Sequence, residues 1–159
     1  MKTKAYIGID PGASGAICLL VPDIDVIIFT GTTVEPALLR QSLMSVAGEY
    51  NLAHIMLEEV HSLHGMSAKS NFTFGFNVGT IQAILGTTGI GFDLVQPKVW
   101  QKETGIKFPQ KSKPAQKKKI TADVVKRLYP YANIHGPKGG LLDGRSDALM
   151  IAHYCRLKY

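Results

Sequence analysis

The sequence predicts a mixed α/β domain in which helices pack on a central five-stranded sheet. Short β-rich segments near the start are joined by tight turns, and later segments alternate between apolar runs and stretches with helical spacing. Hydrophobic residues make up 45% of the 159 residues, which is enough for a well-filled core. We therefore expect residues 1–159 to form one domain of ordinary size.

The first three predicted strands form an antiparallel meander. Residues 5–10 alternate and are β-rich, residues 16–21 are an apolar run, and residues 25–30 follow a turn at Pro22 and Asp23. The turn between the first two strands begins with Pro-Gly. Connections as short as these join antiparallel neighbours in a sheet.

The remaining elements alternate between helices and strands. Apolar residues at helical spacing predict helices over residues 33–50, 72–85, 117–129 and 143–156, and a helix start at residue 97. Apolar runs predict strands over residues 53–60 and 93–96, with loops at residues 61–71, 108–116 and 133–142. Because a helix precedes each of the last two strands, we expect each of them to be parallel to its predecessor in the sheet.

The charge of the chain is concentrated in one segment. The net charge is +6, yet residues 98–127 carry ten basic side chains against only Glu103 and Asp123. The rest of the chain is mildly acidic. This distribution predicts a polyanionic partner held beside an acidic site. A lysine-rich solvated loop that only aids solubility is the alternative.

The cysteines and the apolar runs bear on metal binding and on the cellular location of the protein. Cys18 and Cys155 lie in apolar runs without the Cys or His spacing of a zinc site, so we expect buried free thiols. No apolar run approaches the roughly 20 residues of a membrane span. No secretory cleavage site is visible after the first residues. We therefore expect a protein of the cytoplasm.

Four carboxylates stand at the ends of predicted core elements: Asp10, Glu58, Asp143 and Asp147. The last two are four residues apart and share a helical face, although Asp143 is also expected to cap that helix. Each has an ordinary explanation by itself, such as a turn former for Asp10. Together with the basic segment they predict a site for Mg²⁺ or Mn²⁺, the cations that hard carboxylate oxygens select. Two such ions suit phosphodiester hydrolysis.

Five segments resemble motifs of the RuvC family of Holliday junction resolvases. The three acidic motifs are Ile-Gly-Ile-Asp-Pro-Gly at residues 7–12, Leu-Glu-Glu-Val at 57–60 and Asp-Gly-Arg-Ser-Asp-Ala-Leu at 143–149. Residues 74–79 resemble the family's glycine-containing helix. Residues 96–100, Gln-Pro-Lys-Val-Trp, are most similar to phage-type members. The resemblance spans nearly the whole chain in the right order.

This resemblance implies a ribonuclease H-like fold, a homodimer, and symmetric metal-dependent nicking of a four-way DNA junction. The location would be the host cytoplasm if the protein is phage-encoded. Asp10 would be the bridging metal ligand, with Glu58 and Asp147 beside it and Glu59 as the alternative to Glu58. Asp143 departs from the bacterial spacing of three, which would place its counterpart at Gly144.

The resemblance and the basic segment together predict the DNA contacts. The predicted DNA-binding side chains are Lys98, Lys102, Lys111, Lys113, Lys117, Lys118, Lys119 and His61. The family often has an aromatic residue after the second acidic motif that inserts at the junction centre. Here His61 stands there, and His64 or Phe72 could substitute. Phe72, Gly75, Phe76 and Gly79 also give the helix over residues 72–85 enough apolar surface to pair with a second copy, or to serve as an ordinary core helix.

Three alternatives are compatible with part of this pattern. A related ribonuclease H-like nuclease acting on RNA or on other branched DNA would share the same acidic opening. A non-catalytic junction-binding protein would share the basic segment but would have no need of four carboxylates near a polyanion. An ATP-binding sugar kinase or actin-like protein also begins with Ile-Asp-x-Gly, but this chain is too short for the second lobe.

Overall fold

A computed structural model describes residues 1–32, 35–61 and 65–159. Its centre is a five-stranded sheet in the order β3-β2-β1-β4-β5. The strands are β1 (Lys4–Asp10), β2 (Ala16–Val21), β3 (Val26–Gly31), β4 (Asn51–Glu58) and β5 (Phe92–Val95). The first three are antiparallel neighbours, β4 is parallel to β1, and β5 is parallel to β4. The predicted mixed sheet is therefore confirmed.

Helices surround this sheet and follow the predicted order. They are α1 (Pro36–Glu49), α2 (Ala68–Gly86), α3 (Pro97–Glu103), α4 (Pro114–Leu128) and α5 (Asp143–Lys158). A 3₁₀ turn, Pro22–Ile24, links β2 to β3.

Two helices begin earlier than the sequence pattern predicts, because capping residues outside the apolar repeat start them. Ser67 accepts a hydrogen bond from the Ser70 backbone N–H at 3.1 Å and starts α2 inside a predicted loop. The Gln116 side chain accepts from the Lys113 N–H at 2.9 Å and starts α4 at residue 114. The predicted loops over residues 61–71 and 108–116 are thus wrong in their last residues.

The sheet separates two apolar layers. On one face Tyr6, Cys18 and Met56 pack with α3, α4 and α5, and on the other Ile7 and Ile55 pack with α1 and α2. A Cβ at Gly8 of β1 would lie 2.2 Å from the Ala148 carbonyl oxygen and from the Ala152 nitrogen, so the missing side chain lets α5 lie directly on β1.

Both cysteines are buried and free, as predicted. Cys18 lies on β2 and Cys155 on α5, and both belong to the layer between the sheet and α5. Across the described parts of the chain, every helix is too short or too polar to cross a membrane.

Candidate active site

Asp10 and Glu58 lie side by side at one edge of the sheet. Strands β1 and β4 are parallel, and Ile9 is paired with Leu57, so the next residue on each strand is a carboxylate. Side chains alternate along a strand. Gly8 and Met56 face the layer that contains α5, and the residues two further on, Asp10 and Glu58, therefore point to the same side.

Helix α5 brings Asp143 and Asp147 to the same edge. Its first turn lies against the turn between β1 and β2, where a Cβ at Gly144 would lie 2.0 Å from the Ser14 carbonyl oxygen. A side chain at position 144 therefore has no room. The contact excludes a carboxylate at the position that the bacterial spacing gives, and Asp143 carries one a residue earlier.

These four carboxylates, here called the acidic cluster, interact through their charges. Burial, reinforced by the charges of Asp10, Glu58 and Asp143, raises the pKa of Asp147 to about 8. Burial and the neighbouring Asp10 raise the pKa of Glu58 to about 7. Burial also raises the pKa of Asp10, although a hydrogen bond from the Gly12 N–H opposes this effect. Buried carboxyl groups so close together therefore hold their protons more tightly than isolated ones do.

One lysine enters the acidic cluster directly. Lys118 Nζ lies 2.7 Å from Asp143 Oδ2 and also interacts with the charges of Asp147 and Asp10. The hydrogen bond to Asp143 raises the pKa of Lys118, so this lysine stays charged. The predicted cap of α5 by Asp143 is wrong, because Leu142 holds the cap position without a side-chain hydrogen bond and Asp143 is the first helical residue.

Trp100 holds Glu58 from the other side. The indole Nε1–H donates to Glu58 Oε1 at 2.9 Å, and Trp100 is only 1% exposed. The sequence pattern included Trp100 in a motif but assigned it no role. Because a buried indole N–H needs a hydrogen-bond acceptor, the single tryptophan could have been predicted to bond to a polar group of the site. The charge of Glu58, and not that of Glu59, contributes to the raised pKa of Asp147.

The acidic cluster has the ligand chemistry of a Mg²⁺ or Mn²⁺ site. Among the described residues, no three His, Cys, Asp or Glu side chains are arranged as a ready-made metal-binding group. Two of the carboxylates instead bond to Lys118 and Trp100. All four offer hard oxygen ligands, and Mg²⁺ needs only one or two of them because it keeps several waters. The residues present therefore fit a divalent cation.

The predicted DNA-contacting lysines are all exposed. Two lie on α3 (Lys98 and Lys102), two precede α4 (Lys111 and Lys113), and three lie in its first turns (Lys117, Lys118 and Lys119). The Lys117 ammonium lies 5.5 Å from the centre of the Phe108 ring. Since Lys118 also bonds to Asp143, the start of α4 joins the basic surface to the acidic cluster.

The candidates for a junction-inserting side chain differ in exposure. His61 is exposed and lines a surface pocket of about 390 Å³ together with Asn71, Phe74 and Val78. Phe72 is 75% exposed on α2. His64 lies outside the described residues.

The glycine-containing side of α2 is open. Phe72 and Phe76 are 75% and 66% exposed, and a Cβ at Gly75 or Gly79 would meet no atom within 4 Å. The opposite side of the helix is buried through residues such as Ile81. No charged residue occurs between Lys69 and Asp93. Within the described chain α2 therefore presents an uncharged apolar face, here called the α2 face, to the outside.

Solved structures of DNA junction resolvases share this fold. RuvC of Thermus thermophilus in complex with a Holliday junction substrate matches with a TM-score of 0.60 and 16% identity over 96% of both chains. The yeast mitochondrial Holliday junction resolvase Ydc2 matches with a TM-score of 0.52 and 18% identity, over 96% of this chain and 78% of Ydc2. Fowlpox virus resolvase with Holliday junction DNA matches with a TM-score of 0.51 and 13% identity, over 98% of this chain and 99% of the viral one. The chain matches no known family model and no curated protein sequence.

The five-stranded mixed sheet flanked by helices is therefore the ribonuclease H-like fold of these neighbours. At such identities the likeness concerns the fold. The resemblance to RuvC resolvases found in the motifs is confirmed at that level.

Proposed function

We propose that this protein is a metal-dependent endonuclease that nicks four-way DNA junctions and so resolves recombination or replication intermediates. The observation that carries the proposal is the meeting of Asp10, Glu58, Asp143 and Asp147 at one sheet edge, beside the exposed lysines at the start of α4. The fold supports it, because the structural neighbours described above include two resolvases bound to Holliday junction DNA.

The proposed cofactor is Mg²⁺ or Mn²⁺, with two ions at the acidic cluster. When bound, such ions activate a water and stabilise the leaving oxygen in phosphodiester hydrolysis. Asp10, which interacts with the charges of both Glu58 and Asp147, would be the shared ligand, and these two carboxylates would hold the cations with it. Asp143 would be a further ligand if its ion pair with Lys118 opened. The exposed Lys118 ammonium would then be free to face the phosphate.

The basic surface binds the DNA backbone. Phosphate neutralisation by exposed lysines makes such binding salt-dependent. The lysines proposed to contact the backbone are Lys98, Lys102, Lys111, Lys113, Lys117 and Lys119, all of them exposed. His61 contacts the junction centre, because Phe72 belongs to the α2 face. The surface pocket that His61 lines together with Asn71 and Phe74 carries no charged side chain and suits an unstacked base.

Symmetric nicking requires two active sites related by a two-fold axis, and each chain supplies one acidic cluster. We therefore propose a homodimer in which the α2 face pairs with its twin. The bare backbone at Gly75 and Gly79 allows two helices to approach closely, and Phe72 and Phe76 supply apolar area.

The proposal is tested by cleavage of a synthetic four-way junction, a Y-fork, a linear duplex and a structured RNA, with Mg²⁺ or Mn²⁺. Asp10→Asn should lose at least about 100-fold in rate while still binding the junction, because it removes the bridging charge but no basic side chain. Asp23→Asn, on the exposed 3₁₀ turn, is the matched control and should cut normally.

Each other result has a distinct meaning. An Asp10→Asn variant as active as the parent would contradict the assignment of the acidic cluster. Preferred cutting of RNA or of the Y-fork would support the related-nuclease alternative. Tight metal-independent junction binding without cutting would support a binding protein.

A further inference from the structure

Helix α3 lies where it can reach Glu58 from inside the core. It begins directly after β5, and Val95 at the end of β5 is paired with Glu58 on β4. One turn later Trp100 is buried in the core layer that also contains Met56, Val95 and Ala122. Its ring is fixed by this packing, so its N–H has one direction, and that direction leads to Glu58 Oε1.

The Glu58 carboxylate has reason to move without this bond. It is largely buried, and the nearby charge of Asp10 repels it. A flexible glutamate at a strand end could turn to solvent, which would relieve both effects. The bond from Trp100 opposes such a rotation, since a hydrogen bond to a charged acceptor contributes more than one to a neutral acceptor. It holds Oε1 and leaves Oε2 available.

We propose that Trp100 is a positioning residue that fixes the Glu58 carboxylate for metal binding through its indole N–H. This inference rests on the proposed function. Trp100 does not contact the substrate. It acts by keeping one carboxylate oxygen directed at the acidic cluster before the cation arrives, as outer hydrogen-bond partners do for ligands of other metal sites.

The contact itself can be tested without any activity. Trp100 is the single tryptophan of the chain, so ¹⁵N-labelled protein gives one indole N–H resonance. Glu58→Gln should shift this resonance, because a neutral acceptor replaces a charged one, whereas the matched Glu59→Gln should leave it in place. Addition of Mg²⁺ to the parent should also shift it. A resonance that ignores Glu58→Gln would overturn the inference, whether or not any variant at Trp100 folds.

The consequence is tested with Trp100→Phe, which keeps a large ring but removes the donor. Its affinity for Mn²⁺, measured by calorimetry without DNA, should fall by roughly 10–100-fold, with a matching loss of cleavage. The control is Thr104→Val, which removes a 2.7 Å hydrogen bond from Thr104 Oγ1 to the Trp100 carbonyl and should bind Mn²⁺ like the parent.

The outcomes separate the two proposals. A folded Trp100→Phe variant that binds Mn²⁺ as the parent does overturns the positioning role and leaves the proposed function intact. A parent protein that binds no divalent cation and cuts no DNA overturns the proposed function, and this inference with it.

Discussion

Lys118 Nζ lies 2.7 Å from Asp143 Oδ2, so a lysine of the basic segment is bonded to the acidic cluster. The side chains are 52% and 25% exposed, and an ion pair this open contributes only about 0–1 kcal/mol to folding. Its importance lies in position. The ammonium occupies the neighbourhood in which we propose that divalent cations bind, so it both neutralises the cluster and competes with them.

Lys118→Met should separate these two effects. Removing the ammonium increases the negative potential at Asp143, Asp147 and Asp10, so Mn²⁺ should bind several-fold more tightly. Cleavage should nevertheless fall, because the side chain proposed to face the phosphate is gone. Calorimetry and junction cleavage measure the two quantities. Lys119→Met, its exposed neighbour, is the control, and equal Mn²⁺ affinities for both variants would contradict the prediction.

The raised pKa values of Asp147 and Glu58 predict a pH dependence of stability in the metal-free protein. Their values of about 8 and 7 stand above the ordinary 3.8 and 4.5, so the folded state binds these protons more tightly than the unfolded chain. This contribution is fully present below the ordinary values and is lost as the pH rises through the folded ones.

In EDTA the Tm of the parent should therefore fall between about pH 5.5 and pH 8.5 relative to Asp147→Asn, which cannot ionise. A change of about 1 kcal/mol in the free energy of unfolding shifts the Tm by roughly 2–4 °C for a chain of this size. Saturating Mg²⁺ should restore the parent at the higher pH. Parallel Tm profiles for the parent and Asp147→Asn would show that this carboxylate has no raised pKa.

Gly144→Ala should destabilise the protein by about 2–4 kcal/mol, since the new Cβ would lie against the Ser14 carbonyl oxygen and force α5 away from the β1–β2 turn. Chemical denaturation measures this loss. Gly140→Ala is the control, because its Cβ would meet no atom within 4 Å, and it should change stability by less than about 0.5 kcal/mol.

The close approach of position 144 to the Ser14 carbonyl oxygen predicts the result of a double substitution as well. Moving the carboxylate by one residue, with Asp143→Gly and Gly144→Asp together, should not restore a cluster but should destabilise the fold as Gly144→Ala does. A stable, active double variant would show that the turn yields more easily than the geometry indicates.

Phe72→Lys should convert the proposed dimer to a monomer, because a charge on the α2 face would have to be buried between two copies. Sedimentation velocity measures the change, and cutting should fall with it if two chains act on one junction. Leu157→Lys is the control, since Leu157 is an exposed apolar residue on α5, 58% exposed, away from this face. A parent that is already monomeric with junction DNA bound would refute the dimer.

Sequence periodicity predicted the strands, their succession along the chain and most helices, because alternation and apolar spacing depend on local chain geometry. The errors lie at boundaries. Helices α2 and α4 begin directly after the cap residues Ser67 and Lys113, where single hydrogen bonds outweigh the apolar pattern. The carboxylates of the site were also visible in the sequence, since Asp10 and Glu58 end strands, Asp143 begins α5, and Asp147 follows one turn later on the same helical face.

The sequence by itself thus determined which elements form and which acidic side chains they carry to their ends. Only the tertiary structure decided how these side chains are paired, since Trp100 and Lys118 reach Glu58 and Asp143 across 42 and 25 positions of sequence. It also decided that position 144 admits no side chain, because the nearest backbone there belongs to a turn far away in the chain. Such contacts depend on packing distances between elements, and no local pattern encodes them.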